Sequence, residues 1–106
     1  MAEWAARART HGSLALEAVE KLLREKPEKN GQSFSDAISK LVLLRDHYIA
    51  GQRAGATDAQ SRKQLGQVNG ILSAVIAGNY PLGRVPWHQV EKAREALAHL
   101  MTTLRT

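Results

Sequence analysis

The chain contains no cysteine, which excludes disulfide bridges and thiolate metal sites and is compatible with a reducing compartment. No apolar run approaches the roughly 18 residues that a membrane-spanning helix needs. The first residues include Glu3 and Arg7 and show no apolar signal segment. We therefore expect a cytoplasmic protein that has no membrane partner.

Aromatic residues are also scarce, with two Trp, two Tyr and one Phe among 106 residues. A core must therefore be built from Leu, Val, Ile and Ala, which pack well between helices. Hydrophobic residues make up 43% of the chain, as in ordinary globular proteins. This length and composition predict a single domain, residues 1–106, with one core.

The net charge is +5 and the sequence pI is about 10.0. A pI above about 9 is typical of nucleic-acid-binding domains, although many basic proteins bind no polyanion. The positive residues are spread along the chain and form neither a tail nor a run of like charges. The charge therefore favours a nucleic-acid partner only modestly.

Two helices are indicated in the first half of the chain. Apolar residues follow one helical face from about Ala2 to Glu25, and Gly12 lies within that face without changing its phase. We predict one long first helix, with a break near Gly12 as the alternative. The second apolar pattern begins after the Asn30-Gly31 turn signal and ends near Gly51 or Gly55. Ser33 and Asp36 are its predicted capping pair.

The second half of the chain predicts two further helices. Thr57 and Gln60 form a capping-box pattern for the third helix, and Gly78-Asn79 is suited to a left-handed cap at its end. Pro86 suits the first turn of the fourth helix, where apolar residues recur at steps of three and four. No strand-like alternation competes with these patterns. The predicted fold is an all-α, single four-helix bundle.

The segment from Thr57 to Gly78 has two distinct faces. One is a broad apolar stripe that ends with Val75 and Ile76, and the other carries only small residues: Gly66, Gly70, Ser73, Ala74 and Ala77. A surface helix normally has charged residues opposite its apolar stripe, and each internal glycine costs about 1 kcal/mol relative to alanine. The small residues therefore predict close approach of another backbone, either within the bundle or from a partner.

Catalytic and metal-binding patterns are absent from the sequence. No two of the four histidines are three or four residues apart, and no Glu-x-x-His pair suits a di-metal bundle. There is also no phosphate-binding glycine loop and no nucleophile elbow. We expect a non-enzymatic protein without cofactor, metal or small-molecule substrate.

Six basic residues are candidates for contact with nucleic acid: Arg45, Arg53, Arg62, Lys63, Arg84 and Arg94. Arg45 falls within the apolar arc of its helix, so its guanidinium is expected to reach water beyond the core edge, to pair with Asp46 or Glu20, or to meet a phosphate. Trp87 lies on the same flank as Arg94. It is expected either to anchor the preceding corner in the core or to stack on a base.

Five residues are candidates for docking a protein partner: Gly66, Gly70, Ala74, Leu14 and Leu43. The three small residues follow each other at four-residue intervals in the third helix. The two leucines project from the predicted polar sides of the first and second helices. Single exposed leucines are common, but together with the small-residue face they indicate association.

These features favour a non-enzymatic subunit of a nucleoprotein complex. Such a subunit would contact RNA or single-stranded DNA through phosphates, without sequence specificity, and would pack against neighbouring proteins. Small subunits of CRISPR effector complexes are one example of this physical class, although no residue pattern here is specific to them. The alternative is an adaptor or homo-oligomeric module that binds no nucleic acid.

Overall fold

A computed structural model describes residues 2–27, 31–55 and 58–105 of the chain. The helical patterns of the sequence become four α-helices of 19 to 24 residues. Their bounds are α1 (Ala2–Glu25), α2 (Gln32–Arg53), α3 (Ala59–Asn79) and α4 (Trp87–Arg105).

The four helices pack as a closed ring. Each helix packs against the next in sequence, and α1 also packs against α4, whereas among the described residues the backbones of the diagonal pairs α1/α3 and α2/α4 stay further apart. The short connections make successive helices antiparallel, and the bundle measures 42 × 21 × 19 Å. The all-α four-helix bundle predicted from the sequence is confirmed.

The α1 helix continues through Gly12 without a break, as preferred from the sequence. Packing against α4 explains why this residue is a glycine, because a Cβ atom at Gly12 would overlap the Met101 sulfur. Glycine at this position therefore allows α1 and α4 to approach closely, at the cost of lower helix propensity.

The core is almost entirely aliphatic, as the composition requires. Its largest fully buried side chains include Tyr48 and Phe34 on α2, together with leucines and valines of all four helices. The apolar residues that recur at steps of three and four in the last helix are all buried: Val90, Ala93, Leu97, Leu100 and Leu104. Burial of such side chains contributes about 1.5–3 kcal/mol each to folding.

The predicted caps at Ser33 and Gly78 are wrong, and the N-cap of α3 is a residue other than the predicted Thr57. The N-cap of α2 is Gly31, and Ser33 lies buried inside the helix because α2 begins earlier than predicted. The N-cap of α3 is Asp58, whose carboxylate accepts a 2.7 Å hydrogen bond from the Ser61 amide. Thr57 lies outside the described residues.

Gly78 does not form a left-handed cap. It is buried within α3, and a Cβ atom there would meet Phe34 and Val90 at 3.3 Å. The helix ends at Asn79, and its C-cap is Tyr80, which has a φ of −127°. This glycine is therefore retained by packing against α2 and α4 and not by backbone conformation.

Candidate interaction surface on the third helix

The two central glycines of α3 face outward. No heavy atom outside their own helix lies within 4 Å of a Cβ placed on Gly66 or Gly70. By contrast, a Cβ on Gly51 would lie 2.6 Å from the Trp4 indole nitrogen. Packing within the chain therefore explains Gly51 and leaves Gly66 and Gly70 unexplained.

Ser73 and Ala77 are exposed on the same side of α3, and together with Gly66 and Gly70 they form what we call the open face. Ala74 is half-buried and packs against the core, so it lies at the edge of this face. The prediction that Ile76 belongs to the buried stripe is wrong, because its side chain is 39% exposed. Contacts with α2 and α4 cover a narrower arc of α3 than the apolar residues occupy.

The two ends of the open face differ in chemistry. Arg62 and Lys63 are exposed at its start, and α3 contains no acidic residue. Beyond its other end, Ile76, Tyr80 and Leu82 are exposed, with Tyr80 at 70% and Leu82 fully accessible. Along α3, the exposed side chains are therefore cationic at the start, small in the middle and apolar at the end.

The structure places five of the six basic candidates in two groups towards opposite ends of the bundle. Arg53 in the last turn of α2 and Arg62 and Lys63 near the start of α3 occupy one end, which we call the basic end. Arg84 lies in the α3–α4 connection at the opposite end, and Arg94 lies in the half of α4 nearer to it. The six residues therefore do not form one patch.

Arg45 lies outside both groups and has a partner in its own helix. Its guanidinium donates to the Asp46 carboxylate at 3.1 Å, with the arginine side chain 35% exposed. This is one of the pairings expected from the sequence. The neighbouring carboxylate offsets the positive charge that Arg45 presents to solvent.

Net positive charge is higher in the half of the bundle that contains the basic end, because fewer acidic residues offset its basic ones. We divide the described side chains across the long axis of the bundle. One half carries six Lys/Arg and three Asp/Glu, and it consists of residues 2–13, 43–55, 58–68 and 96–104. The other half carries seven Lys/Arg and six Asp/Glu, and it consists of residues 14–27, 31–42 and 69–95. A polyanion would therefore be attracted to the first half.

A polar groove lies beside the open face, between the start of α3 and the end of α4. We call it the α3–α4 groove, and its volume is about 340 Å³. Its polar lining side chains are Gln60, Lys63, Gln64, Gln67, His99 and Thr103. Of these, only Lys63 was predicted from the sequence to contact nucleic acid, because amide and hydroxyl side chains on a helix resemble ordinary solvent-facing residues.

Gln64 is the buried member of this groove, at 7% exposure. Its side-chain oxygen accepts a 3.0 Å hydrogen bond from the Tyr48 hydroxyl, which links α3 to α2. Burial raises the pKa of Tyr48 to about 12, so the phenol stays protonated and donates. This hydrogen bond fixes the orientation of the Gln64 amide.

The two leucines predicted to dock partners are exposed, at 43% for Leu14 and 47% for Leu43. Leu14 lines a groove between α1 and α2, together with Lys21 and Lys40. Because α1 is diagonal to α3 in the ring, Leu14 and the open face belong to different surfaces. The fold therefore separates Leu14 from the small residues of α3 with which it was predicted to dock a partner.

Trp87 anchors the corner between α3 and α4. Its ring stacks on Phe34, with the centroids 5.7 Å apart and an interplanar angle of 25°. This is the first of the two roles expected from the sequence. Trp87 is half-buried in this position and packs against the core.

An aromatic cluster that the sequence did not indicate joins the start of α1 to the end of α2. Trp4 stacks on His47, and the ring of His11 lies 5.4 Å from that of His47. Burial lowers the pKa of His11 below its ordinary value of 6.5, with further contributions from His47 and Arg7. The pattern of the sequence contains no signal for a pairing between residues so far apart.

Comparison with known proteins gives no assignment, since no family model, curated protein or solved structure matches this chain. In the described part of the chain, no group of three or more His, Cys, Asp or Glu side chains could hold a metal ion. None of the described helices is long and apolar enough to cross a membrane.

Proposed function

We propose that the protein is a small, non-enzymatic, cytoplasmic subunit of a nucleoprotein complex. It contacts the phosphates of RNA or single-stranded DNA through its basic end and packs a neighbouring subunit against the open face of α3. The observation that carries this proposal is the exposure of Gly66 and Gly70, which no contact within the chain explains.

The phosphate contacts are assigned to Arg53, Arg62 and Lys63. These residues come together because α2 ends where α3 begins, and the surrounding half of the bundle has an excess of positive charge. Side chains of this kind bind phosphates without reading sequence, and the affinity falls as salt increases. Arg84 and Arg94 lie too far towards the opposite end to join this contact.

The neighbouring subunit on the open face is a second copy of this chain. Gly66 and Gly70 are four residues apart, a spacing that lets two helix backbones approach closely. In an antiparallel pairing of two α3 helices, the cationic starts of the two helices lie at opposite ends of the interface. Like charges are thereby kept apart, and each cationic end meets the exposed Tyr80 of the other copy.

A homo-oligomeric module without nucleic-acid binding is the second candidate. The exposed apolar side chains of Ile76, Tyr80 and Leu82 favour it, because they support association that does not depend on charge. The two candidates share the open face and differ in the role of the basic end.

A salt titration separates them. For three phosphate contacts on a single strand, raising the salt from about 50 to about 200 mM should weaken binding about 20-fold. Replacing Arg53 and Lys63 together by Gln should reduce that salt effect to about 3-fold. The matched control is the double variant Arg84→Gln and Arg94→Gln, which should behave as wild type. Absence of oligonucleotide binding at the lower salt would exclude the first candidate.

A further inference from the structure

We infer that the α3–α4 groove is a binding site for a single phosphate group, such as one phosphate of a bound strand. This inference rests on the proposed function, to which it adds the location and the groups of a specific phosphate contact. It also assigns a role to four residues that do not belong to the basic end: Gln60, Gln64, Gln67 and His99.

The first argument is the composition of the groove. Two basic side chains face it from different helices, Lys63 from α3 and His99 from α4. The remaining polar side chains are amides and a hydroxyl, and no carboxylate lines the groove among the described residues. A phosphate oxygen accepts hydrogen bonds from the amide N–H groups and from an imidazole N–H, and gains from the positive charge of Lys63, while the Thr103 hydroxyl donates to the His99 carbonyl.

The second argument is that the inner part of the groove is preorganised. Gln64 is more than nine-tenths buried, and its oxygen is occupied by the Tyr48 hydroxyl. This hydrogen bond directs the amide oxygen towards Tyr48, so the end of the amide turned away from Tyr48 is its NH₂ group, which is a donor. Fixed donors of this kind suit an anion and disfavour a cation.

The third argument is position. Lys63 lies three residues before Gly66 and Gln67 directly follows it, so the groove borders the start of the open face. Asp58, the nearest acidic residue before α3, directs its carboxylate to the Ser61 amide as the helix cap. A strand that follows the basic end can therefore place one phosphate in the groove.

Nuclear magnetic resonance of isotope-labelled protein provides a direct test. The probes are inorganic phosphate and a single-stranded oligouridylate, with chloride at equal ionic strength as the reference. Binding in the groove should shift the side-chain NH₂ signals of Gln60, Gln64 and Gln67 with either probe. The NH₂ signal of Gln89, at the start of α4, should remain unchanged. If the Gln89 signal moves as much as the groove signals, the inference is wrong.

Matched variants test the same site by affinity. His99→Glu places a carboxylate in the groove and should weaken oligonucleotide binding about tenfold or more, whereas His88→Glu, an identical change elsewhere on α4, should have only a small effect. Lys63→Gln should lower the slope of log affinity against log salt by about 0.7, and Lys92→Gln should leave it unchanged. Thermal unfolding of each variant confirms that the bundle is intact.

The outcomes distinguish this inference from the proposed function. If the oligonucleotide binds and His99→Glu and His88→Glu have equal effects, the groove assignment fails and the proposed function stands. If the oligonucleotide does not bind but inorganic phosphate shifts the glutamine signals, the groove stands and the proposed function fails. If neither probe has any effect, both are wrong.

Discussion

Trp4 and His47 hold the start of α1 against the end of α2 through reciprocal hydrogen bonds. The Trp4 indole N–H donates to the His47 carbonyl at 3.3 Å, and the His47 Nε2–H donates to the Trp4 carbonyl at 2.9 Å. The two rings stack with centroids 4.8 Å apart and an interplanar angle of 15°. Gly51 leaves room for the indole beside α2.

Removal of the indole should destabilise the bundle. Because Trp4 is partly buried, we expect Trp4→Ala to lower the free energy of unfolding by about 3 kcal/mol, at the low end of the cost for large aromatic residues. Trp4→Phe keeps a ring but loses the N–H donor, so it should cost about 1 kcal/mol. Urea unfolding followed by circular dichroism measures both values. Equal stability of all three proteins would show that this cluster contributes nothing to folding.

Stability should also depend on the protonation of His11. Its pKa is lowered in the folded protein by burial, His47 and Arg7, so the unfolded chain takes up the proton first as the pH falls. The contribution of His11 to stability is complete above its ordinary pKa of 6.5 and is lost as the pH falls through the lowered value. Glu3 reduces the repulsion only indirectly, through its ion pair with Arg7.

The measurement is the free energy of unfolding of wild type and His11→Gln at neutral pH and at about pH 5.5. Wild type should lose more stability than the variant over this interval. His88→Gln serves as the control, because His88 is exposed at the start of α4. A steeper pH dependence in His11→Gln than in wild type would contradict the assigned sign.

Alanine at the open-face glycines should stabilise the isolated protein. A Cβ at Gly66 or Gly70 meets nothing, and neither residue has a positive φ, so the helix-propensity gain of about 0.5–1 kcal/mol each is available. The double variant should therefore melt several degrees higher than wild type. Gly51→Ala is the matched control and should melt lower, because its Cβ would overlap the Trp4 indole. A lower melting temperature for the double variant would mean that the fold requires these glycines.

The sequence predicted the helices well because their signals are local. The spacing of apolar residues placed all four helices, and the unbroken phase across Gly12 correctly indicated one long α1. The capping residues were predicted less well. Several polar residues stand side by side before α2 and α3, and the path of the loop decides which of them becomes the cap.

The candidate site could be predicted only in part. Periodicity identified the small-residue face of α3, but whether another helix covers Gly66 depends on the arrangement of the whole bundle. The α3–α4 groove and the Trp4–His47 pair join residues of different helices, and the latter pair is 43 positions apart. Such contacts leave no periodic signal in a single sequence.

Sedimentation of wild type and Gly70→Leu with a single-stranded oligonucleotide tests the central claim most directly. The leucine has open space in the monomer, so the fold should be kept, but it would separate two α3 helices that pack through their open faces. With a strand short enough for one binding site, the account predicts complexes with two protomers per strand for wild type and single bound protomers for Gly70→Leu at low salt. If Gly70→Leu folds and forms the same complexes as wild type, the open face of α3 is not a docking surface.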